Sequence, residues 1–190
     1  MSGKRAQRII KTNSMRYEDV TRRWYAEATP KSNNIIHAKS FIDDKGNKYI
    51  VDNKKRHVWF DYESKDYKES KLCASLLRRI FGGKIEIQPR VNKPEGISTC
   101  DIKWIRPNNF TIEKWNLKTV EGNKNKTLDS MIKRKKRQSH NFIFDIKNHS
   151  LTEKQATNQI VHIFNDPHRD WVEKIMLKDD EKILFIYQKK

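Results

Sequence analysis

Lys114–Thr119 reads KWNLKT. In an extended strand Trp115 and Leu117 point to one side and Asn116 and Lys118 to the other. An amide and an ammonium side by side on one strand face do not make a core. Two carboxylates are spaced to join them. Asp101 opens the preceding strand-like run, and antiparallel pairing of residues 101–105 with 113–119 brings it within about a residue or two of Asn116 and Lys118. Glu69 shares a helix face with Leu72, Cys73, Leu76 and Ile80. A glutamate on a docking face is costly unless something pairs with it, although a place near the helix start favours a negative charge. Oxygen ligands of this kind suit Mg²⁺ or Mn²⁺, which keeps several waters and bridges to phosphate. Such an ion acidifies a bound water, and a lysine beside it steadies the charge that builds up on phosphorus-bound oxygens. Glu113 cannot replace Asn116 in this set without a register shift, because it faces the other side of a regular strand.

The elements that must hold these residues follow from periodicity and punctuation. Ser64 can cap a helix over 65–81 that stops at Gly82-Gly83. Strands are predicted over 84–91, 98–105 and 111–120, the second turning into the third through RPNNF. A loop with Pro94 and Gly96 separates the first two. A helix is predicted over 127–139, with Met131 and Gln138 on one face. Residues 140–146 then read as a buried strand, 151–166 as an amphipathic helix, and 171–178 with 182–190 as a closing strand pair. This order gives a mixed α/β domain with helices packed on a sheet. Upstream, residues 39–62 suggest two or three short strands with a turn at Asp44-Lys45-Gly46-Asn47. Residues 1–35 are basic with one short helix. The division expected is an N-terminal basic arm or extension over 1–55 and a main domain over 56–190.

The formal net charge is +17 in 190 residues, which costs self-repulsion and implies a polyanionic partner. Nucleic acid is the leading one, ahead of an anionic membrane surface or an acidic protein. The run Lys133-Arg134-Lys135-Lys136-Arg137, extended by Lys124 and Lys126, is the expected phosphate-tracking surface. Cys73 and Cys100 lack metal-ligand spacing and read as small buried thiols. No apolar run is long enough to span a membrane, and the N-terminus lacks an apolar signal core, so a cytoplasmic site of action is expected. The tryptophans lie in apolar runs and read as core. Asp145, within NFIFDI, reads as a capping or pairing residue.

The helix–strand–strand–strand–helix–strand order, with Cys100-Asp101, fourteen residues, then Asn116-Leu117-Lys118, resembles the PD-(D/E)xK nuclease superfamily. More narrowly, YKESKLCASLLRRIFGGKIEIQPRV, CDIKW with EKWNLKT, and RQSHNFIFDI resemble the nuclease domain at the C-terminus of contact-dependent growth inhibition toxins. Related domains occur in some phage and mobile-element proteins. The resemblance implies a restriction-endonuclease-like core and a metal-dependent endonuclease. It implies Glu69 and Asp101 as Mg²⁺ or Mn²⁺ ligands, Asn116 assisting, Lys118 as the catalytic lysine and Gln138 positioning from the second helix. It also implies RNA, in particular transfer RNA, as substrate, an acidic immunity protein as partner, and delivery from a larger secreted or phage protein. Asn116 stands where the family carries an acid, and Cys100 where it carries proline. Three other readings stay open: a DNA endonuclease of a phage or mobile element, a nucleic-acid-binding module with a decayed site, and a structural component whose basic arm binds a partner. A metal-independent ribonuclease would need a histidine base, for which His140 and His168 are the candidates.

Overall fold

The computed structural model describes residues 16–190 except 31–33, 44, 94, 108–109, 134, 137 and 149. In chain order the strands and helices are β1 (Tyr17–Asp19), α1 (Thr21–Ala26), β2 (Ile35–His37), β3 (Ser40–Ile42), β4 (Lys48–Ile50) and β5 (Val58–Trp59). The long helix α2 (Lys65–Ile80) follows, then β6 (Lys84–Ile87), β7 (Arg90–Val91), β8 (Ile102–Ile105) and β9 (Glu113–Thr119). The chain ends with α3 (Thr127–Ile132), β10 (Asn141–Asp145), α4 (Glu153–Asn165), β11 (Lys174–Asp179) and β12 (Lys182–Lys189). The fold is mixed α/β. An eight-stranded sheet runs β1-β12-β11-β10-β9-β8-β6-β2, with two small antiparallel pairs, β3-β4 and β5-β7, besides.

Local chemistry explains the elements that carry the site. The Ser64 side chain accepts from the Tyr67 amide and starts α2. The helix ends at Gly82 and Gly83, both at positive φ, and a Cβ on Gly83 would run into the Ile105 carbonyl. Cys73, Ala74 and Leu77 of α2 pack on one sheet face with Ile85, Ile102, Trp104, Trp115 and Ile143. Leu128, Ile132, Ile160 and Ile163 from α3 and α4 cover the opposite face over Phe142, Phe144 and Leu177. Alternation along β9 and β10 therefore feeds two cores from one sheet. No described helix is long and apolar enough to cross a membrane.

Two expectations change. Of the segment read as an arm over 1–55, β1 and β2 belong to the main sheet, while β3 and β4 pair only with each other. β1 pairs antiparallel with β12, and β2 pairs parallel with β6. Trp24 is 1% exposed among Phe81, Trp104 and Trp115, with the Arg106 guanidinium 3.8 Å above its ring. Three-residue strands have no periodicity long enough to stand out against a basic background. The second helix is also shorter than 127–139. It stops at Ile132, and the Gln138 amide bonds to the Lys135 carbonyl in a turn. Beyond Ile132 the sequence offers cations at adjacent helical positions and no apolar face to dock, so neither pairing nor packing supports another turn of helix.

Candidate active site

β8 and β9 separate at the point where the candidate residues meet. Their ladder pairs Trp104 with Glu113, Lys103 with Lys114 and Ile102 with Trp115, and goes no further. Asp101 sits at this fork. Its amide donates to the Trp115 carbonyl at 3.1 Å, and its Oδ2 accepts from the Leu117 amide at 2.6 Å. A side-chain carboxylate thus takes the place of the next backbone partner, which fixes it between the two strands. On its other edge β9 continues in register with β10, Asn116 beside Phe142 and Lys118 beside Phe144. Asn116 is fully buried and donates from Nδ2 to Gln138 Oε1 at 3.1 Å, while its own Oδ1 has no hydrogen-bond partner. Gln138 reaches this position from the turn after α3 rather than from a helix face.

The charges around the fork are coupled. Burial pushes the Asp101 carboxyl above its ordinary value, against the pull of Lys118, the Leu117 amide and Lys135. Asp66, on the first turn of α2, pushes it in the same direction as burial. Burial and the neighbouring Lys118 hold Lys135 below its ordinary value, against Asp101 and Asp66. The cluster is therefore Asp101, Lys118, Lys135 and Asp66. The last was not among the sequence candidates. Its only signal was a place one turn before Glu69 on the same helix.

The raised Asp101 has a consequence for stability. The folded state holds the Asp101 proton more tightly than the unfolded one, so stability from this group is lost as pH rises from its unfolded to its folded value. Asp101→Asn keeps an acceptor for the Leu117 amide and removes the buried charge. The variant is expected to melt higher than wild type at neutral pH, with the gap closing as the pH falls below the ordinary carboxylate range. A neutral-pH melting temperature at or below that of wild type would show that burial does not dominate this group.

Glu69 faces a cleft that Lys118 also borders. The Glu69 carboxylate is 3.7 Å from Lys147 Nζ, which is also 3.9 Å from Asp145. Both residues line this cleft of about 300 Å³ between α2 and the sheet, bordered also by Leu117 and Ile143. Asp145 is paired: it accepts from buried Lys178 Nζ, and from the Asp180 and Lys147 amides at 3.2 and 3.1 Å. Glu113 faces away from Asn116, bound to Lys174 at 2.6 Å and to the Trp115 indole at 3.1 Å. His140 lies beside Glu173 at 3.3 Å, in a hollow that Gln138 also lines but the fork residues do not. Cys73 and Cys100 are free and buried, with burial pushing each thiol up to about 12.

Among the described residues no three His, Cys, Asp or Glu side chains gather as a metal-holding group. What the fork offers is smaller: one carboxylate with an oxygen to spare and the orphaned amide oxygen of Asn116. Mg²⁺ keeps most of its waters and takes one or two protein oxygens, so the half-buried Asp101 carboxylate fits such an ion, whereas the Asn116 oxygen is closed off from solvent. Lys124, Lys126, Lys133 and Lys136 are exposed on the loop before α3 and on the turn after it. Arg134 and Arg137, counted with them from the sequence, lie outside the described residues, as do Asp44, Pro94, Asn108, Asn109 and His149.

Residues 112–183 match the sequence model of a family described as Contact-dependent growth inhibition CdiA C-terminal domain. The matched stretch contains Asn116, Lys118, Gln138 and Asp145, and leaves out Asp66, Glu69 and Asp101. No curated protein matches the chain, and no solved structure matches it.

Proposed function

We propose that this chain is a toxin-type endonuclease that hydrolyses phosphodiester bonds, with RNA and in particular transfer RNA as its substrate. The observation that carries the reading is the half-buried Asp101 carboxylate, seated on the Leu117 amide where β8 and β9 part, with Lys118 beside it. The likeness of residues 112–183 to a growth-inhibition toxin domain and the net charge of +17 support it.

The chemistry follows from the side chains. Asp101, held above its ordinary value, takes a proton from a water that attacks phosphorus. The bond from phosphorus to the leaving oxygen breaks, and the proton passes to that oxygen. Lys118 donates to a non-bridging oxygen and steadies the charge of the five-coordinate state. Gln138 Oε1 accepts from Asn116 Nδ2 and so fixes the orientation of the Asn116 amide, whose Oδ1 is left without a partner. Lys135, close to Lys118, adds a second cation for the phosphate. Asp101, with Glu69 from the adjoining cleft and Asn116 assisting, would hold a Mg²⁺ or Mn²⁺ ion, which when bound lowers the pKa of water and neutralises phosphate charge. The exposed lysines 124, 126, 133 and 136 extend the basic surface along the polyanion. The partner that fits such a surface is an acidic immunity protein, and the place of action is the cytoplasm of a cell reached from a larger secreted protein.

The test is cleavage of total transfer RNA and of plasmid DNA by the full chain with Mg²⁺, Mn²⁺ or EDTA. Loss of transfer RNA with either ion, none with EDTA and intact plasmid is the expected result. Loss of plasmid alone would replace the RNA reading by a DNA endonuclease. Binding of both without any cleavage would make the chain a nucleic-acid-binding module, for which Asn116 in place of an acid gives the reason. Cleavage that survives EDTA, Asp101→Ala and Lys118→Ala would overturn the metal-dependent site and make His140 and His168 the candidate bases.

A further inference from the structure

Beyond the fork, a group of aromatic rings from β2, α2 and the segment before α2 extends from the core into solvent. The His37 ring lies nearly parallel to that of Tyr67, with centroids 5.8 Å apart and planes 17° apart, and its Nε2 is 2.9 Å from the Tyr67 hydroxyl. Tyr62 meets Tyr67 edge-on at 5.0 Å and stacks on Phe60 at 5.9 Å. Phe60 is buried and anchors the group, whereas Tyr62 is 49% exposed and His37 is exposed as well. A tyrosine left half in water on a rigid aromatic base is a different thing from a scattered surface ring.

Its position relates it to the fork. His37 pairs with Ile87, Ile87 with Ile102, and Ile102 with Trp115, so these residues form one row across β2, β6, β8 and β9. Asp101 is the neighbour of Ile102 at that end of the row. Two strand spacings, about 10 Å, separate His37 from the strand that Asp101 precedes. Tyr67 also directly follows Asp66, whose charge bears on Asp101. Lys71, one turn further along α2, is exposed, and burial together with the Lys71 charge lowers the proton affinity of His37. An aromatic face with a lysine next to it matches a base with its phosphate.

We infer that Tyr62, with His37 and Tyr67 behind it, is a stacking platform for an unpaired base of the nucleic acid, about one or two nucleotides from the bond at the fork. The inference rests on the nuclease reading for its direction but concerns binding only. A duplex keeps its base faces stacked on one another, so the platform selects single-stranded or looped segments. The ring supplies stacking without hydrogen-bond readout, so the preference is for strandedness rather than for one base.

The test uses the full chain carrying Asp101→Asn, so that bound RNA survives. Dissociation constants are measured for a fluorescent mixed-sequence single-stranded RNA and for the same strand annealed to its complement. Tyr62→Leu is expected to weaken the single strand about 5- to 100-fold, the worth of one stacked base, and the duplex less than about two-fold. Tyr62→Phe keeps the ring and should bind both as the parent does. This conservative variant guards against a Tyr62→Leu that fails to fold, which its melting temperature would reveal. Equal loss on both RNAs, no loss on either, or a Tyr62→Phe that binds like Tyr62→Leu would overturn the platform. Since nothing is cut in this assay, a chain that proves to have no nuclease activity would still pass or fail on the platform alone.

Discussion

Asp101→Ala and Lys118→Ala are each expected to slow cleavage about 10²- to 10³-fold, with little change in affinity for uncut substrate. The two residues act on the same transition state, one on the attacking water and the other on the phosphate oxygens. The double variant should therefore lose little more than either single one. Asp101→Ala also removes the acceptor for the Leu117 amide, so it must be compared with Asp101→Asn, which keeps one. If Asp101→Asn cleaves like wild type, the carboxylate is only a spacer in the fork. If Lys118→Ala raises the dissociation constant and leaves the single-turnover rate unchanged, Lys118 is a phosphate-binding residue and has no part in the reaction. Single-turnover rates with saturating protein separate these outcomes, because they do not mix binding with the chemical step.

The local part of this site was legible in the sequence because strands are simple. Alternation placed Asn116 and Lys118 on one side of β9, and a short antiparallel turn placed Asp101 near them. Helical periodicity is a poorer guide to distance. It put Glu69 on the docking face of α2, and Glu69 lines the cleft beneath that helix together with Lys118, with Lys147 as its ion-pair partner. Which end of a helix meets which strand depends on how the helix lies across the sheet, and the sequence of the helix does not contain that angle. The acid whose charge reaches Asp101 is Asp66, three residues earlier. Gln138 illustrates a different limit. It was expected beside Asn116 on the grounds that it shared a helix face with Met131, yet that helix ends at Ile132. The contact is made instead by a turn whose geometry is fixed downstream, where Ser139 Oγ donates to the Lys114 carbonyl at 2.5 Å and Asn141 Nδ2 to the same oxygen at 2.9 Å. The aromatic group around Tyr62 was invisible for a similar reason. Its rings come from residues 60, 62 and 67, close in sequence, and from His37, which only the placement of β2 brings to them.

Asp145 provides the largest expected effect on stability and also tests whether it belongs to the catalytic set. It lies in the middle of the sheet, and its side chain holds the Lys178 ammonium, which is 8% exposed and also donates to the Asp180 carbonyl at 2.6 Å. A lysine in this position is tolerable because a carboxylate faces it. Removing that carboxylate leaves a buried cation with one carbonyl for company, and such a loss costs about 3–5 kcal/mol. Asp145→Ala should therefore lower the melting temperature by roughly 6–20 °C, at about 2–4 °C per kcal/mol for a chain of this size. The Asp180 and Lys147 amides also lose their acceptor, which acts in the same direction. Pairing Asp145→Ala with Lys178→Met takes away the stranded charge and should recover much of the loss, since a buried ion pair and an apolar replacement are often close in energy. Single-turnover cleavage, measured well below the melting point and scaled to the folded fraction, should stay within about three-fold of wild type in the double variant, because neither residue lies at the fork. If the double variant is stable yet loses cleavage as completely as Asp101→Ala, then the Asp145–Lys178 pair takes part in the reaction, and the cleft beneath α2 rather than the fork between β8 and β9 is where the phosphate sits.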